Sequence, residues 1–147
     1  MNHKDKIATV FSLFNNASIV EVQGDLAYLK LKIACQNLAQ MIQPNFLYFY
    51  ITLNHIEYIA LVPWATKKNN IVLQDINTIF QNILAIGEVL VMDESDIISI
   101  KCYINNREIE GGDLNIQCQD IQIADEENNS ISLNDLAYLV KQYWQNI

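Results

Sequence analysis

Apolar side chains recur at every second residue through much of this chain, and that spacing narrows its fold more than any other feature. Leu29, Leu31 and Ile33 alternate with Tyr28, Lys30 and Lys32, and Ile98, Ile100, Cys102 and Ile104 alternate with Ser99, Lys101 and Tyr103. Leu114, Ile116 and Cys118 repeat the pattern, and Ile121 and Ile123 resume it. Successive strand side chains point to opposite faces, so a period of two describes strands with one face on a core and the other in water. Antiparallel sheets tolerate such a wet face, whereas parallel strands are buried on both sides. The chain is therefore expected to be built on a mainly antiparallel sheet.

The first hairpin is expected over residues 18–22 and 26–33, turning at Gly24-Asp25. Residues 46–53 are aromatic and apolar on both faces, and Asn54-His55 offers a turn into 56–62, so these two strands are placed in the middle of the sheet. Asn105-Asn106, Gly111-Gly112 and Asn128-Asn129 supply the later turns. Helical spacing marks the remainder. Ile7, Val10, Phe11 and Phe14 give a helix over 4–15, and residues 36–43 give a short one stopped by Pro44. After a polar loop at 66–70, Ile76, Ile79, Phe80 and Ile83 predict a helix from Asp75 to about Gly87, with an extension to Met92 open. Ser132 and Asp135 form a capping box before the stripe Leu136, Leu139, Val140 and Tyr143. Residues 71–79 echo residues 131–139, a likeness of strand-to-helix lead-ins too short to be a duplication.

The expected fold is α+β: an antiparallel sheet of about six to eight strands with three or four helices, the N- and C-terminal helices packed on the sheet. A chain of 147 residues with 51% hydrophobic residues forms one domain, residues 1–147, with a core that needs no staple. Cys35, Cys102 and Cys118 are an odd number without CxxC spacing, which argues against a disulfide framework and a zinc site and fits a reducing compartment. The first residues lack a basic region free of acids and a small residue before a cleavage point, and no apolar run approaches the ~18 residues of a membrane span. A cytoplasmic location is expected.

Charge is distributed unevenly. Residues 1–86 carry five acidic and six basic side chains, and residues 87–147 carry twelve acidic and three basic, so the net −8 arises wholly in the second part. Nucleic acid and anionic membranes are disfavoured as partners, and a basic protein is favoured. The candidate partner-binding residues are Asp93, Glu94, Asp96, Asp120, Asp125, Glu126 and Glu127. Solubility is the competing explanation for the same carboxylates.

Other chemistry is poorly supplied. Cys35 with His55 is the one nucleophile and base pairing of suitable types, but a lone cysteine in an apolar stretch is more often inert, and no catalytic residue is assigned. The acidic runs at 93–96 and 120–127 match no EF-hand loop, four glycines form no phosphate-binding loop, and two histidines are few for a transition metal, so no metal or cofactor is expected. Trp64 and Trp144 are potential interface anchors that more often seal a core.

By size and charge alone, the chain is similar to two classes of small acidic bacterial cytosolic protein. One is the immunity protein of a contact-dependent or polymorphic toxin system, which implies a binding module that occludes the active site of a basic, nuclease-type toxin. The other is the acidic secretion chaperone, a homodimer that holds an effector segment in a hydrophobic groove. Residues 46–53 would line that groove, but the β-rich stretch at 97–123 departs from the chaperone order, so immunity-type inhibition ranks first. A homo-oligomer is possible, a stable homodimer burying a strand-lined groove would place the chaperone first, and a small hydrolase ranks third.

Overall fold

The computed structural model describes residues 2–64, 71–104 and 110–145. The first expected helix is α1 (His3–Leu13), capped where the Asp5 N–H donates to the Asn2 side chain at 2.8 Å. Ile7, Val10 and Phe11 bury one face, and the chain leaves the helix at Asn16, whose φ of 74° is one that asparagine tolerates. The hairpin follows as β1 (Ser18–Gly24) and β2 (Tyr28–Ala34), with Gly24 at φ 114° allowing the turn. α2 (Gln36–Ile42) stops before Pro44 as expected.

The next stretch differs from the expectation. Residues 48–63 form one strand, β3 (Tyr48–Pro63), and Asn54-His55 is not a turn. His55 takes φ 50°, its N–H donates to Ala27 O, and the Ile56 N–H donates to Leu26 O. The register against its other neighbour slips between Ile56 and Tyr58. The same residue types suit a tight turn and a bulge, because both need a left-handed residue, and here the bulge bends a continuous strand.

The third helix is also shorter than its periodicity suggests. It begins beside Asp75 as expected, with the Asp75 carboxylate accepting from the Thr78 N–H at 3.1 Å, but α3 (Ile76–Ile79) ends after one turn and residues 84–91 form β4 (Leu84–Val91). β4 bridges β1 and β5 (Ile98–Tyr103), pairing Ser18 with Ala85 and Tyr103 with Ala85. Ladder bonds on both sides outweigh a helical stripe whose member Ile83 lies exposed. Gly111 and Gly112 are likewise not a turn. They open β6 (Gly111–Asp125) opposite Tyr103 and Cys102. A Cβ on Gly112 would stand 2.8 Å from Val62 O, so glycine is needed there for close strand approach. The expected turn at Asn128-Asn129 is present, with Asn128 at φ 66°, and leads into β7 (Ser130–Ile131). In α4 (Leu133–Gln145) the Asp135 N–H donates to Ser132 Oγ at 3.1 Å, the serine half of the capping box. The loop at 66–70 and the turn at Asn105-Asn106 lie outside the described residues.

These elements form a seven-stranded antiparallel sheet with four helices among the described residues, an α+β architecture. The order is β3-β2-β1-β4-β5-β6-β7, and β3 also pairs with β6. The sheet therefore curls back on itself in a circuit of six strands, narrowest between β1 and β4, where only Ser18 and Ile19 find partners. β3, placed in the middle from its composition, has strands on both sides only over residues 49–54; beyond the bulge, where residues 56–62 were also expected to be central, β6 is its one partner strand among the described residues. Its Phe49, Ile51 and Leu53 face inward with Leu29, Leu31 and Ile33, and α1 joins that core through Phe14, whose ring meets Phe49 edge-on at 5.2 Å. α4 seats Leu136 in the same core and rests against α1 and α2. Among the described residues no helix is long and apolar enough to cross a membrane.

Candidate partner-binding site

The β4–β5 connection places three exposed acidic residues, Asp93, Glu94 and Asp96, within four positions. β4 runs on after its pairing with β1 has ended, so its last residues project beside α1 with only β5 alongside. Lys4 Nζ donates to Met92 O at 3.0 Å and Ser95 O at 2.9 Å, and the Ile97 N–H donates to Ser95 Oγ at 3.0 Å. The turn is thus held through its backbone and Ser95. Asp93, Glu94 and Asp96 remain exposed and carry no ion pair among the described residues. Leu90 and Met92, 51% and 66% exposed, stand directly before them.

Asp93 and Asp96 line a groove of about 590 Å³ with Glu57, the N-terminal residues Asn2 to Lys4, and Gln117 to Gln119. Glu57 was not among the expected residues. The β3 bulge brings it there, and Gln117 Nε2 reaches its carboxylate at 3.4 Å. A period-two pattern broken at Asn54-His55 was the one sequence signal that could have located it. Asp120, next to the groove residue Gln119, is paired with Lys6 at 2.9 Å. Burial pushes its carboxyl up, but hydrogen bonds from Lys6 and the Ile121 N–H, with the Lys6 charge, outweigh that and hold it below its usual range. Its charge is therefore present but already partnered.

The remaining expected residues sit elsewhere. Asp125 is five residues from Asp120 along β6, about 17 Å at strand rise. It is only 6% exposed and accepts from the Glu127 N–H at 2.9 Å, the Asn129 N–H at 3.0 Å and Asn129 Nδ2 at 3.2 Å. Glu126 Oε1 accepts from the Leu47 and Tyr48 N–H groups at 2.8 and 3.1 Å. Both carboxylates build the β6–β7 turn and tie it to the start of β3. Glu127 is exposed on that turn. Of the seven residues, Asp93, Glu94 and Asp96 share one free surface, Asp120 borders it, and Asp125, Glu126 and Glu127 lie apart.

The thiol and imidazole do not meet. The Cys35 N–H donates to Leu47 O, next to the first residue of β3, whereas His55 stands seven residues along that strand from Tyr48, roughly 23 Å away at strand rise. Burial raises the Cys35 pKa, only partly opposed by a backbone hydrogen bond from Leu38, the reverse of what an activated nucleophile needs. Cys35 borders a cavity of about 460 Å³ between the ends of α1, α2 and α4, with Asn37 Nδ2 donating to Tyr143 Oη at 3.1 Å and Trp144 at the rim. Trp64 is structural, its Nε1 donating to Asp113 at 3.1 Å and its ring edge-on to Tyr103. Trp144 is 66% exposed.

Among the described residues, the basic side chains of the first part form no stripe. Lys30 and Lys32 lie over the rings of Tyr50 and Tyr48 at 4.3 and 4.2 Å, and Lys30 also donates to Asn128 at 2.6 Å. Among the described residues, no three His, Cys, Asp or Glu side chains are grouped to hold a metal ion. No protein-family model, curated protein or solved structure matches this chain.

Proposed function

We propose that this chain is a protein-binding inhibitor of the immunity type, which neutralises a basic, nuclease-type bacterial toxin by covering its active site. The observation that carries the reading is the β4–β5 connection, where Asp93, Glu94 and Asp96, unpaired among the described residues, adjoin exposed Leu90 and Met92. Apolar anchors rimmed by charge are the anatomy of a protein interface, and the carboxylates suit a cleft that otherwise holds a phosphate backbone. Glu57 and Asp120 extend the negative field along the groove. The proposal carries a cytoplasmic location with it, where the three free thiols stay reduced.

The chaperone reading loses its main support, because Phe49, Ile51 and Leu53, which would line its groove, are fully buried. The hydrolase reading loses the Cys35 and His55 cleft that motivated it.

Steering by these acids makes association fast and salt-dependent. The test identifies the partner by pull-down and mass spectrometry and compares its association with wild type and with the combined D93N/E94Q/D96N variant. Between about 0.05 and 0.3 M salt the wild-type association rate should fall at least about tenfold, and the variant should begin slow and stay nearly flat. A variant that associates as fast as wild type at low salt would sink the proposal.

A further inference from the structure

β4 has a strand on each side only where it begins. Leu84 and Ala85 face β1, and over residues 87–91 β5 is its sole described partner strand. The direction of each backbone group follows from the ladders. The Ile104 N–H donates to Glu110 O, so the even-numbered residues of β5 turn their backbone groups toward β6 and Ser99 turns toward β4. Leu90, opposite Ser99, is bonded to β5. Val89 and Val91, opposite Ile100 and Ile98, turn their N–H and C=O groups to the open side. Ile86 lies on the same outward row, and its N–H and C=O are met there by Ala17 O and the Asn16 N–H, each at 2.8 Å. Val89 and Val91 have no such partner among the described residues.

There is room beside this edge. A groove of about 590 Å³ lies between Val89, Val91 and the flank of α1, walled by Ala8, Thr9 and Ser12. Thr9 and Ser12 donate back to the helix carbonyls of Asp5 and Ala8 at 2.7 and 2.8 Å, so the wall is small and its hydroxyl donors are spoken for. Exposed edges are usually blunted by lysine, proline or short length. Residues 87–91 contain no lysine or proline, and Leu90, Val91 and Met92 are exposed.

Charge selects the occupant. Asp5 lines this groove and Asp93 and Glu94 follow directly on the edge strand, while Glu88 and Lys101 pair with each other at 3.6 Å and Lys4 donates to the turn carbonyls. A second copy pairing edge to edge would bring two such acidic sets together, and like charges across a sheet oppose pairing. We propose that the open edge of β4 receives an extended basic segment of the partner as an added strand, its alternate apolar side chains entering the α1 groove and its lysines or arginines meeting the flanking carboxylates. This rests on the binding reading above and specifies its geometry.

The test uses the full chain with two synthetic hexapeptides, one alternating lysine and valine and one alternating glutamate and valine. The readout is amide hydrogen exchange at Val89 and Val91. The basic peptide should slow exchange at both amides by at least about tenfold, and the acidic one should not. Val91→Pro removes an outward N–H without touching the β5 ladder and should abolish the protection at Val89, the amide that remains to be read, while Val91→Ala should keep it at both positions. If Val91→Pro fails to fold, the wild-type exchange at Val89 and Val91 decides alone. Absence of protection there at millimolar peptide overturns the inference. Peptide binding that survives in folded Val91→Pro but weakens in D93N/E94Q/D96N also overturns it, and leaves the electrostatic reading standing. Concentration-dependent dimerisation by sedimentation that Val91→Pro removes would assign the edge to a second copy instead.

Discussion

Asp125 counts as acidic surface in the sequence and as scaffold in the fold, and its replacement separates the two. Its carboxylate accepts three hydrogen bonds, from the Glu127 N–H, the Asn129 N–H and Asn129 Nδ2, while only 6% exposed. Buried bonds to a charged group contribute about 1.5–3 kcal/mol each. The donors lie on exposed residues that water can reach, which lowers the cost to roughly 1 kcal/mol apiece, so Asp125→Ala should destabilise by about 2–4 kcal/mol. Asp125→Asn keeps one acceptor oxygen but sets an amide against Asn129 Nδ2, and should cost about 1–2 kcal/mol. With a urea slope near 2 kcal/mol/M, the alanine variant's midpoint should fall by about 1–2 M. Amide exchange should accelerate first at β7 and the start of α4, since the turn sets the pairing of Ile123 with Ile131. Partner association should be unchanged. An alanine variant within about 0.5 kcal/mol of wild type, or one that loses association while keeping its stability, would refute the structural role.

Phe49→Ala should cost about 3–5 kcal/mol in chemical denaturation, because a fully buried ring packed on Phe14 is removed. Near-neutral stability would mean Phe49 is free for a ligand, as a chaperone groove requires. Burial, with the Asp113 charge added, pushes the Cys102 thiol up to about 12, and burial with the Asp120 charge pushes Cys118 up to about 11. At pH 8 their thiolate fractions are then about 10⁻⁴ and 10⁻³, so a thiol reagent should label Cys35 first and the other two only on unfolding. Both folded values lie above the ordinary 9.0, so this stabilisation is complete below that pH and is lost as pH rises toward the folded values. Urea midpoints should hold up to about pH 9 and decline above it.

Local physics was enough to read the alternating strands β2, β5 and β6, the start of α3 near Asp75, the cap of α4, and the helix at residues 3–13, because period and capping chemistry are properties of neighbouring residues. The same holds for the sign and location of the charge. What the sequence could not separate were choices in which one residue type serves two geometries. Asn54-His55 reads as a turn but makes a bulge, since both need a left-handed residue. Gly111-Gly112 reads as a hairpin but opens a strand, because the demand on glycine there is close approach by β3 and β5. Residues 84–91 follow a helical stripe but form β4, whose ladder partners arrive from 65 and 67 residues before and from the next strand along.

The candidate site divides in the same way. That carboxylates cluster after residue 87 is composition, but which of them are free depends on donors distant in sequence: Lys6 for Asp120, the Leu47 and Tyr48 amides for Glu126, and the folded turn for Asp125. Glu57 joins Asp93 and Asp96 only because β3 and β6 pair through a bulge. The sequence by itself determined an acidic α+β chain with its charge in the second part. Tertiary structure decided which acids remain unpartnered and which strand edge stays open, because both depend on hydrogen bonds between residues that only folding brings within reach.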